Sequence, residues 1–560
     1  MSSAPALSSL NAETQTYPVL TAEQIKCVQP FAEQCSVQVG DILYRPGEIG
    51  VPLYILLSAY VEVVQPDTNG ERFFTTFSPG MFTGESAMIA GQKMIVLARV
   101  TQAGEVLKIS PDSLRTLVAR NTELAELFLR AFMLRRLSLI RKQLGNVAII
   151  GSRHSADSMR LREFLGRNGH PYAFVDLDTD HSAQEMLDRL DVGIDEVPIV
   201  ICNGRIVLRN PSTMELAKCL GLNEGIDHSL LRDLIVVGAG PAGLAAAVYA
   251  ASEGLDVLMV ENHAPGGQAG TSSRIENYLG FPMGISGQEL AANAKVQALK
   301  FGAKMAVARS IIELRCHRTP FELVMDDGTL LYARSVVIAT GARYNKPNVT
   351  GIEGFAGRGV HYGATYLEAQ LCEGEDVVVV GGGNSAGQAA VFLSQTAHKV
   401  FMLVRGANMD STMSRYLIQR ISNNPSIELH CNSELTNLSG TSRLEEVSWK
   451  SKITGATTSV SLHHVFVMTG ASPNTEWLQG CVALDEKGFV LTGPDLPLST
   501  EEGIEQAWPL SRPPQRLESS QPGIFVVGDV RAGSVKRVAS AVGEGANAVS
   551  LVHRFLSEVS

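Results

Sequence analysis

Two glycine-rich segments carry the most explicit chemistry in this sequence. In the first, LIVVGAGPAGLAAAVYAASEGLDVLMVEN, Gly238, Gly240 and Gly243 form G-x-G-x-x-G between a predicted strand and a predicted helix. The first glycine permits a tight turn. The second removes a side chain where a pyrophosphate must approach, and the third lets helix and strand pack closely. The helix N-terminus then turns free N–H groups towards phosphate oxygens. Glu261 ends the next predicted strand, where a carboxylate accepts from adenosine ribose hydroxyls. In the second, DVVVVGGGNSAGQAAVFLSQTAHKVFMLVR, Gly381, Gly383 and Ala386 give G-x-G-x-x-A. Arg405 stands at the strand end where the first unit has its acid. A carboxylate there would repel a 2′-phosphate, whereas an arginine fork matches one, so NADPH is favoured over NADH.

The elements that must position these loops are set within a chain of 560 residues, long enough for several domains. Net charge is −10, which argues against a nucleic-acid role. No apolar run approaches the ~18 residues of a membrane-spanning helix. The N-terminus lacks a basic start and an apolar core, so no secretory signal is expected and the cytoplasm is the default compartment. None of the eight cysteines forms C-x-x-C, no spacing fits a metal site, and free buried thiols are expected.

The fold class expected is multidomain α/β. Residues 1–19 read as a disordered lead-in. Segment 20–144 reads as a β-roll followed by one or two helices, with Ser110 or Asp112 as N-cap and DTNGER as a hairpin turn. Segment 145–225 alternates strand and helix, with helices over SMRLREFLGRNG, AQEMLDRL and TMELAKCLGL. From 232 onward the two glycine loops make a repeated dinucleotide-binding, Rossmann-like unit. One half comprises 232–345 and 480–560, the other 346–479.

Segment 232–560 resembles the thioredoxin-reductase branch of the two-dinucleotide-domain flavoproteins. The motifs are GAGPAGLAAAVYAA, which includes Ala242, GGQAGTSSRIENYLGFP, VVIATGA, GGGNSAGQAAVFLS, FVMTGASPNT, GIFVVGDV and VASAVGEG. The resemblance implies FAD and NADPH as cofactors and a homodimer. It implies that Gly267 and Gln268 approach the pyrophosphate and ribityl region, and that Asn277 lies at the isoalloxazine edge. Thr340 and Gly341 end the strand that returns to the flavin, and Gly528 and Asp529 meet the ribityl hydroxyls. The helix from Val538 directs its N-terminus at the flavin pyrimidine. Asn384 and Ser385 belong to the NADPH loop.

The departures decide the chemistry. The family's C-A-T-C is here Gly363-Ala364-Thr365-Tyr366, and its arginine motif shrinks to Val404-Arg405-Gly406, with Arg415 as a displaced second arginine. Segment 145–225 resembles a glutaredoxin or thioredoxin-like domain, but its C-x-x-C positions hold Ser155 and Ser158. A hydroxyl cannot replace a thiolate in disulfide exchange. The roll resembles a cyclic-nucleotide-binding domain. Gly84 and Glu85 match the start of its phosphate cassette, while Met94 falls where that family carries its phosphate arginine. Three functions are compatible with these residues. The leading one is a flavin oxidoreductase serving an external acceptor such as ferredoxin, flavodoxin, a quinone or oxygen. The others are a disulfide reductase using partner thiols and a non-catalytic redox sensor.

Overall fold

The computed structural model describes residues 16–559 except 68–69, 85–93, 95, 126, 129–130, 133–134, 136–146, 181–192, 203–205, 224–225, 346, 357, 442 and 498–507, and omits the side chains at 66, 67, 70, 119, 194, 366 and 367. The chain divides into two compact units. Met1–Ser152 with Asn168–Glu224 form one, and Arg153–Arg167 with Gly225–Ser560 form the other.

The first unit opens with helix α1 (Ala22–Val28) and seven strands: β1 (Glu33–Val37), β2 (Ile42–Tyr44), β3 (Leu53–Leu56), β4 (Tyr60–Asp67), β5 (Gly70–Phe77), β6 (Leu97–Gln102) and β7 (Gly104–Ile109). They form two antiparallel sheets, β1-β7-β3 and β2-β6-β4-β5. The apolar run LYILLSAYVEVVQ is two strands because the chain bends between Leu56 and Tyr60. Gly104 must be glycine there, since a Cβ would lie 2.5 Å from the Ala59 nitrogen. Met94 faces inward, fully buried in the core of the roll. Helix α2 (Pro111–Arg120) is capped by Ser110, which accepts from the Ser113 N–H at 3.2 Å. It ends at Asn121, whose side chain accepts from the Leu124 N–H at 3.0 Å and restarts the next turn.

A third sheet in this unit has the order β11-β10-β8-β9, built from β8 (Val147–Gly151), β9 (Ala173–Asp176), β10 (Ile199–Cys202) and β11 (Ile206–Arg209). Only the β8–β9 pair is parallel. The helix expected over AQEMLDRL lies outside the described residues. Helix α3 (Ala156–Arg167) follows β8 in sequence, but its contacts fall with the second unit. Ser155 caps it, accepting weakly from the Ser158 N–H at 3.4 Å. Helix α4 (Thr213–Leu220) is held by a reciprocal capping box between Ser212 and Glu215.

The second unit contains two halves, one built on a mixed sheet and the other on a parallel one. The first sheet runs β14-β13-β12-β17-β16-β15, with β28 beside β17. Its strands are β12 (Leu231–Val237), β13 (Val257–Glu261), β14 (Lys304–Val307), β15 (Ile311–Arg315), β16 (Phe321–Met325), β17 (Leu330–Ile338) and β28 (Ile524–Val526). Helix α5 (Pro241–Ser252) follows the first glycine loop, and α6 (Gly287–Lys300) packs against α5. The C-terminal α10 (Val538–Val559) also packs on α5, at a Gly545 so close that a Cβ would meet the Ala242 carbonyl at 2.1 Å. The chain crosses to the other half and back along β18 (Ala342–Tyr344) and β27 (Ala471–Pro473), which pair antiparallel. The other sheet runs β19-β26-β20-β21-β22, all parallel. It comprises β19 (Val360–His361), β20 (Asp376–Val380), β21 (Lys399–Val404), β22 (Ile427–Cys431) and β26 (His464–Val467). Helices α7 (Tyr366–Leu371), α8 (Asn384–Leu393) and α9 (Arg415–Ser422) belong to it. A small antiparallel sheet of β23 (Ser433–Ser439), β24 (Glu446–Ser451) and β25 (Thr457–Ser461) flanks it.

The structure corrects the expectation of free buried thiols. Cys316, just past β15, and Cys481 form a disulfide across a sequence separation of 165 residues. Sequence spacing gave no hint of it, because the pair meets only once β15 lies against the turn at Glu476–Leu478. Among the remaining cysteines only Cys202 and Cys372 are buried, and Cys27 is exposed.

Candidate functional site

The two glycine loops are built alike and differ in what each glycine must do. At the first glycine of each loop the backbone of a neighbouring strand leaves no room. A Cβ on Gly238 would meet the Ala339 carbonyl oxygen at 2.4 Å, and one on Gly381 the Met468 oxygen at 2.4 Å. Both positions also have positive φ, 102° and 145°. The third position closes the turn: a Cβ on Gly243 would lie 1.9 Å from the Gly238 oxygen. The middle glycines are free of such pressure. A Cβ on Gly240 would have only the Gly267 Cα at 4.0 Å, and one on Gly383 only the Thr412 oxygen at 3.9 Å. Space beside a helix N-terminus that no protein atom fills is what a bound pyrophosphate requires.

That space opens into a cavity of about 780 Å³, within the range of cofactor sites. The sequence-predicted Gly238, Gly240, Ala242, Glu261, Gly267, Gln268, Asn277, Thr340, Gly341, Gly528, Asp529 and Val538 all line it. Asn384 and Ser385 of the second loop line the same cavity, together with Gln388. Gly381, Gly383 and Ala386 form the turn behind them. The two dinucleotide loops therefore face one continuous space.

Several side chains tie this space together. The Glu261 carboxylate accepts from the N–H of Ala239 at 2.7 Å and of His263 at 3.0 Å, bracing the first loop from below. Each of its oxygens keeps a lone pair for a ribose hydroxyl. Gln268 donates to the Ala342 carbonyl. Thr340 and Asn474 exchange hydrogen bonds with each other's carbonyls, both at 2.9 Å. Burial pushes the Asp529 carboxyl above the ordinary range, Glu544 adds to this, and Lys536 opposes it. The Tyr344 hydroxyl reaches Ser385 and feels Asp529, so it links the two loops. Burial raises its pKa most.

At the position of the family's first cysteine, Gly363 lies against the cavity-lining Thr271, 3.9 Å from where its Cβ would stand. Its neighbour Tyr362 lines the cavity. Tyr366 opens α7, and its side chain is outside the described set. Cys372, the nearest thiol in sequence, is fully buried and donates to the Glu368 carbonyl of its own helix at 3.2 Å. Burial pushes its thiol up to about 12, so it is not a thiolate at neutral pH. The Cys316–Cys481 disulfide does not line the cavity.

Outside the cavity, Arg405 and Arg415 are exposed and make no ion pair with any described residue. They flank the second loop, which is fastened to the segment before Arg415 by Thr412 donating to the Gly382 carbonyl at 2.7 Å and the Ser414 N–H donating to Asn384 at 2.8 Å.

Residues 232–545 match the sequence profile of the pyridine nucleotide-disulphide oxidoreductase family. The chain belongs to this family. Residues 34–121 match the cyclic nucleotide-binding domain. Thioredoxin reductase of Treponema pallidum is 34% identical over 314 residues, 56% of this chain and 94% of that protein. The bifunctional thioredoxin reductase/thioredoxin of Mycobacterium leprae is 30% identical over 332 residues, 59% of this chain and 67% of that protein. The crystal structure of Lactococcus lactis thioredoxin reductase superposes with a TM-score of 0.52 at 27% identity, covering 58% of this chain and 99% of that one. This oxidoreductase is thus an NAD(P)H-dependent flavoprotein enzyme, and its family uses FAD and NADPH. Glycines pressed by backbone on either side of an unfilled gap, with a buried acid beneath them, fit the dinucleotide.

Among the cavity residues that sequence reasoning missed are Arg167, Tyr344, Asn474 and Trp477. Three lie near motifs that were read, at the crossover. Arg167 comes from helix α3, whose sequence signals only a helix. Among the described residues, no helix is long and apolar enough to cross a membrane.

The unequal roles of the glycines are testable by substitution. Gly240→Val should abolish FAD retention while the FAD-free protein melts within a few degrees of wild type. Gly243→Val should destroy the fold, because overpacking against backbone exceeds the ~1–3 kcal/mol of ordinary core overpacking. Flavin absorbance after gel filtration and thermal unfolding of both proteins check this. A flavin-replete Gly240→Val protein would refute the assignment.

Proposed function

We propose that this oxidoreductase passes electrons from NADPH through FAD directly to an external acceptor, without a protein dithiol. The observation that supports the reading is Gly363 and Tyr366 at the cysteine positions, with Gly363 beside the cavity-lining Thr271 and no cysteine among the described residues that line the cavity. Bound FAD would supply hydride acceptance from NADPH and onward electron transfer. The first loop, Glu261, Gln268, Asn277 and Asp529 would hold it, and the N-terminus of α10 would stabilise charge on its pyrimidine edge. The second loop would hold NADPH, with Arg405 and Arg415 on its 2′-phosphate. The shared cavity favours a geometry in which nicotinamide and flavin meet without domain rotation. Ferredoxin, flavodoxin, a quinone or oxygen are acceptors of suitable chemistry. The proposal includes a homodimer.

We further infer that segment 145–225 is a thioredoxin-like module that has lost its redox thiols. The order β11-β10-β8-β9 with one parallel pair supports this. So does the use of Ser155 as a helix cap at the first thiol position.

For the N-terminal roll we propose weak or absent cyclic-nucleotide binding. Gly84 is buried, and Glu85 lies outside the described residues. Met94 points into the core, so no arginine fork stands at that position. Arg99, the nearest described alternative, is engaged by Glu62 at 2.5 Å and Glu71 at 2.8 Å.

Three outcomes are expected. The protein should reduce quinones or one-electron dyes with NADPH, while an aromatic disulfide and thioredoxin stay unreduced; rapid disulfide reduction would contradict this. Arg405→Ala should weaken NADPH about ten- to a hundred-fold, the equivalent of ~1.5–3 kcal/mol for one charge-assisted contact, and leave NADH unchanged. Equal use of both coenzymes by the wild type would overturn the assignment. Calorimetric titration with cAMP and cGMP should show no micromolar site; a tight site would mean another cation serves the phosphate.

A further inference from the structure

The cavity contains a cation that the family match does not reach. Arg167 is the last residue of α3, and the matched region begins at 232. The relative from Treponema pallidum is aligned over 94% of its own length with only 56% of this chain. An arginine so far upstream is therefore a feature of this chain's extra segment.

The loop after β13 is folded around this guanidinium. Nη2 donates to the Gly267 carbonyl at 2.8 Å and, more weakly, to that of Ala264 at 3.4 Å. Gly270 makes room for it, since a Cβ there would lie 3.4 Å from Nη2. On the other side of the same loop, Gly267 abuts Gly240, the glycine left open for a pyrophosphate: a Cβ on Gly267 would meet the Gly240 Cα at 3.1 Å. The helix end is itself fixed, with the Gly166 carbonyl accepting from Gln288 at 2.7 Å.

The charge on Arg167 is incompletely met. Its side chain is 12% exposed, and its Nε is buried without a hydrogen-bond partner. Its carboxylate partner Glu163, at 3.2 Å from Nη1, also faces His263 at 3.8 Å. Two of the other cavity cations have carboxylate partners. Arg309 has Asp326 and Asp327, and Arg343 has Glu476. A buried guanidinium with a spare donor beside a glycine gap is the natural counter-ion for a pyrophosphate.

We propose that Arg167 is a cofactor-binding residue that pairs with the FAD pyrophosphate, so that the segment before the flavoprotein region completes the flavin site. This rests on the assignment of the cavity to FAD.

The experiment uses the full chain stripped of flavin, with Arg167→Ala and Arg167→Lys beside wild type. FAD affinity is measured by flavin fluorescence on reconstitution. ADP and adenosine are compared by thermal shift, because they differ by the pyrophosphate. Arg167→Ala should bind FAD about ten- to a hundred-fold more weakly and lose the preference for ADP over adenosine. Its flavin-free melting temperature should stay close to wild type. Arg167→Lys should recover part of the ADP preference, through a point charge without the fork. An arginine that only braces the loop would lower flavin-free and flavin-bound stability together and leave the ADP preference intact, which overturns the proposal. Unchanged FAD affinity in Arg167→Ala overturns it as well. If Arg167→Ala fails to fold, a lysine variant with wild-type FAD affinity but no preference for ADP also contradicts it. Failure of the FAD assignment itself would show differently, as a wild-type protein that takes up no flavin.

Discussion

The close passage of backbone against backbone at Gly238 governs the active half of this protein. Strand β12 must end where the Ala339–Thr340 backbone already lies, so the turn has no room for a side chain. The turn then sends α5 away with its N-terminus facing the gap beside Gly240. The same constraint recurs at Gly381 against Met468. The crossover of β18 and β27 joins the two halves, and both loops open on one cavity. Glu261 beneath the first turn and Asp529 at the start of α10's approach are placed by that arrangement. A substitution at Gly238 would therefore displace the whole site, whereas one at Gly240 alters only what the site can hold.

Much of this was legible in the sequence, for a physical reason. Backbone crowding demands glycine at fixed spacing, and buried parallel strands demand β-branched runs, so both leave marks in a single chain. The loops and Glu261 were readable on those grounds, whereas Asn277, Asp529 and the start of α10 were expected only from the family resemblance. Contacts made by ordinary residues across long separations were not. Arg167 lies in a helix whose pattern says only that it is amphipathic, and it reaches the cavity because α3 packs with the flavoprotein unit. Cys316 and Cys481 are 165 residues apart and carry no motif. Tyr344 is readable as the end of a short strand, and its reach to Ser385 depends on how the two halves face each other.

The sequence has no C-x-x-C pair, and the proposed electron path rests on that. Gly363 lies beside Thr271, and Cys372 is buried with its thiol pushed up by that burial. Ser155 caps α3. The remaining disulfide sits in the packed core behind β15, away from the cavity lining. Among the described residues that line the cavity, none is a cysteine.

Anaerobic reductive titration tests this most directly, following flavin absorbance and free thiols together. The account predicts that one equivalent of NADPH per FAD bleaches the flavin completely while the thiol count stays constant. Uptake of a second equivalent per FAD, with two new thiols appearing, would contradict it and show that a disulfide such as Cys316–Cys481 takes electrons from the flavin.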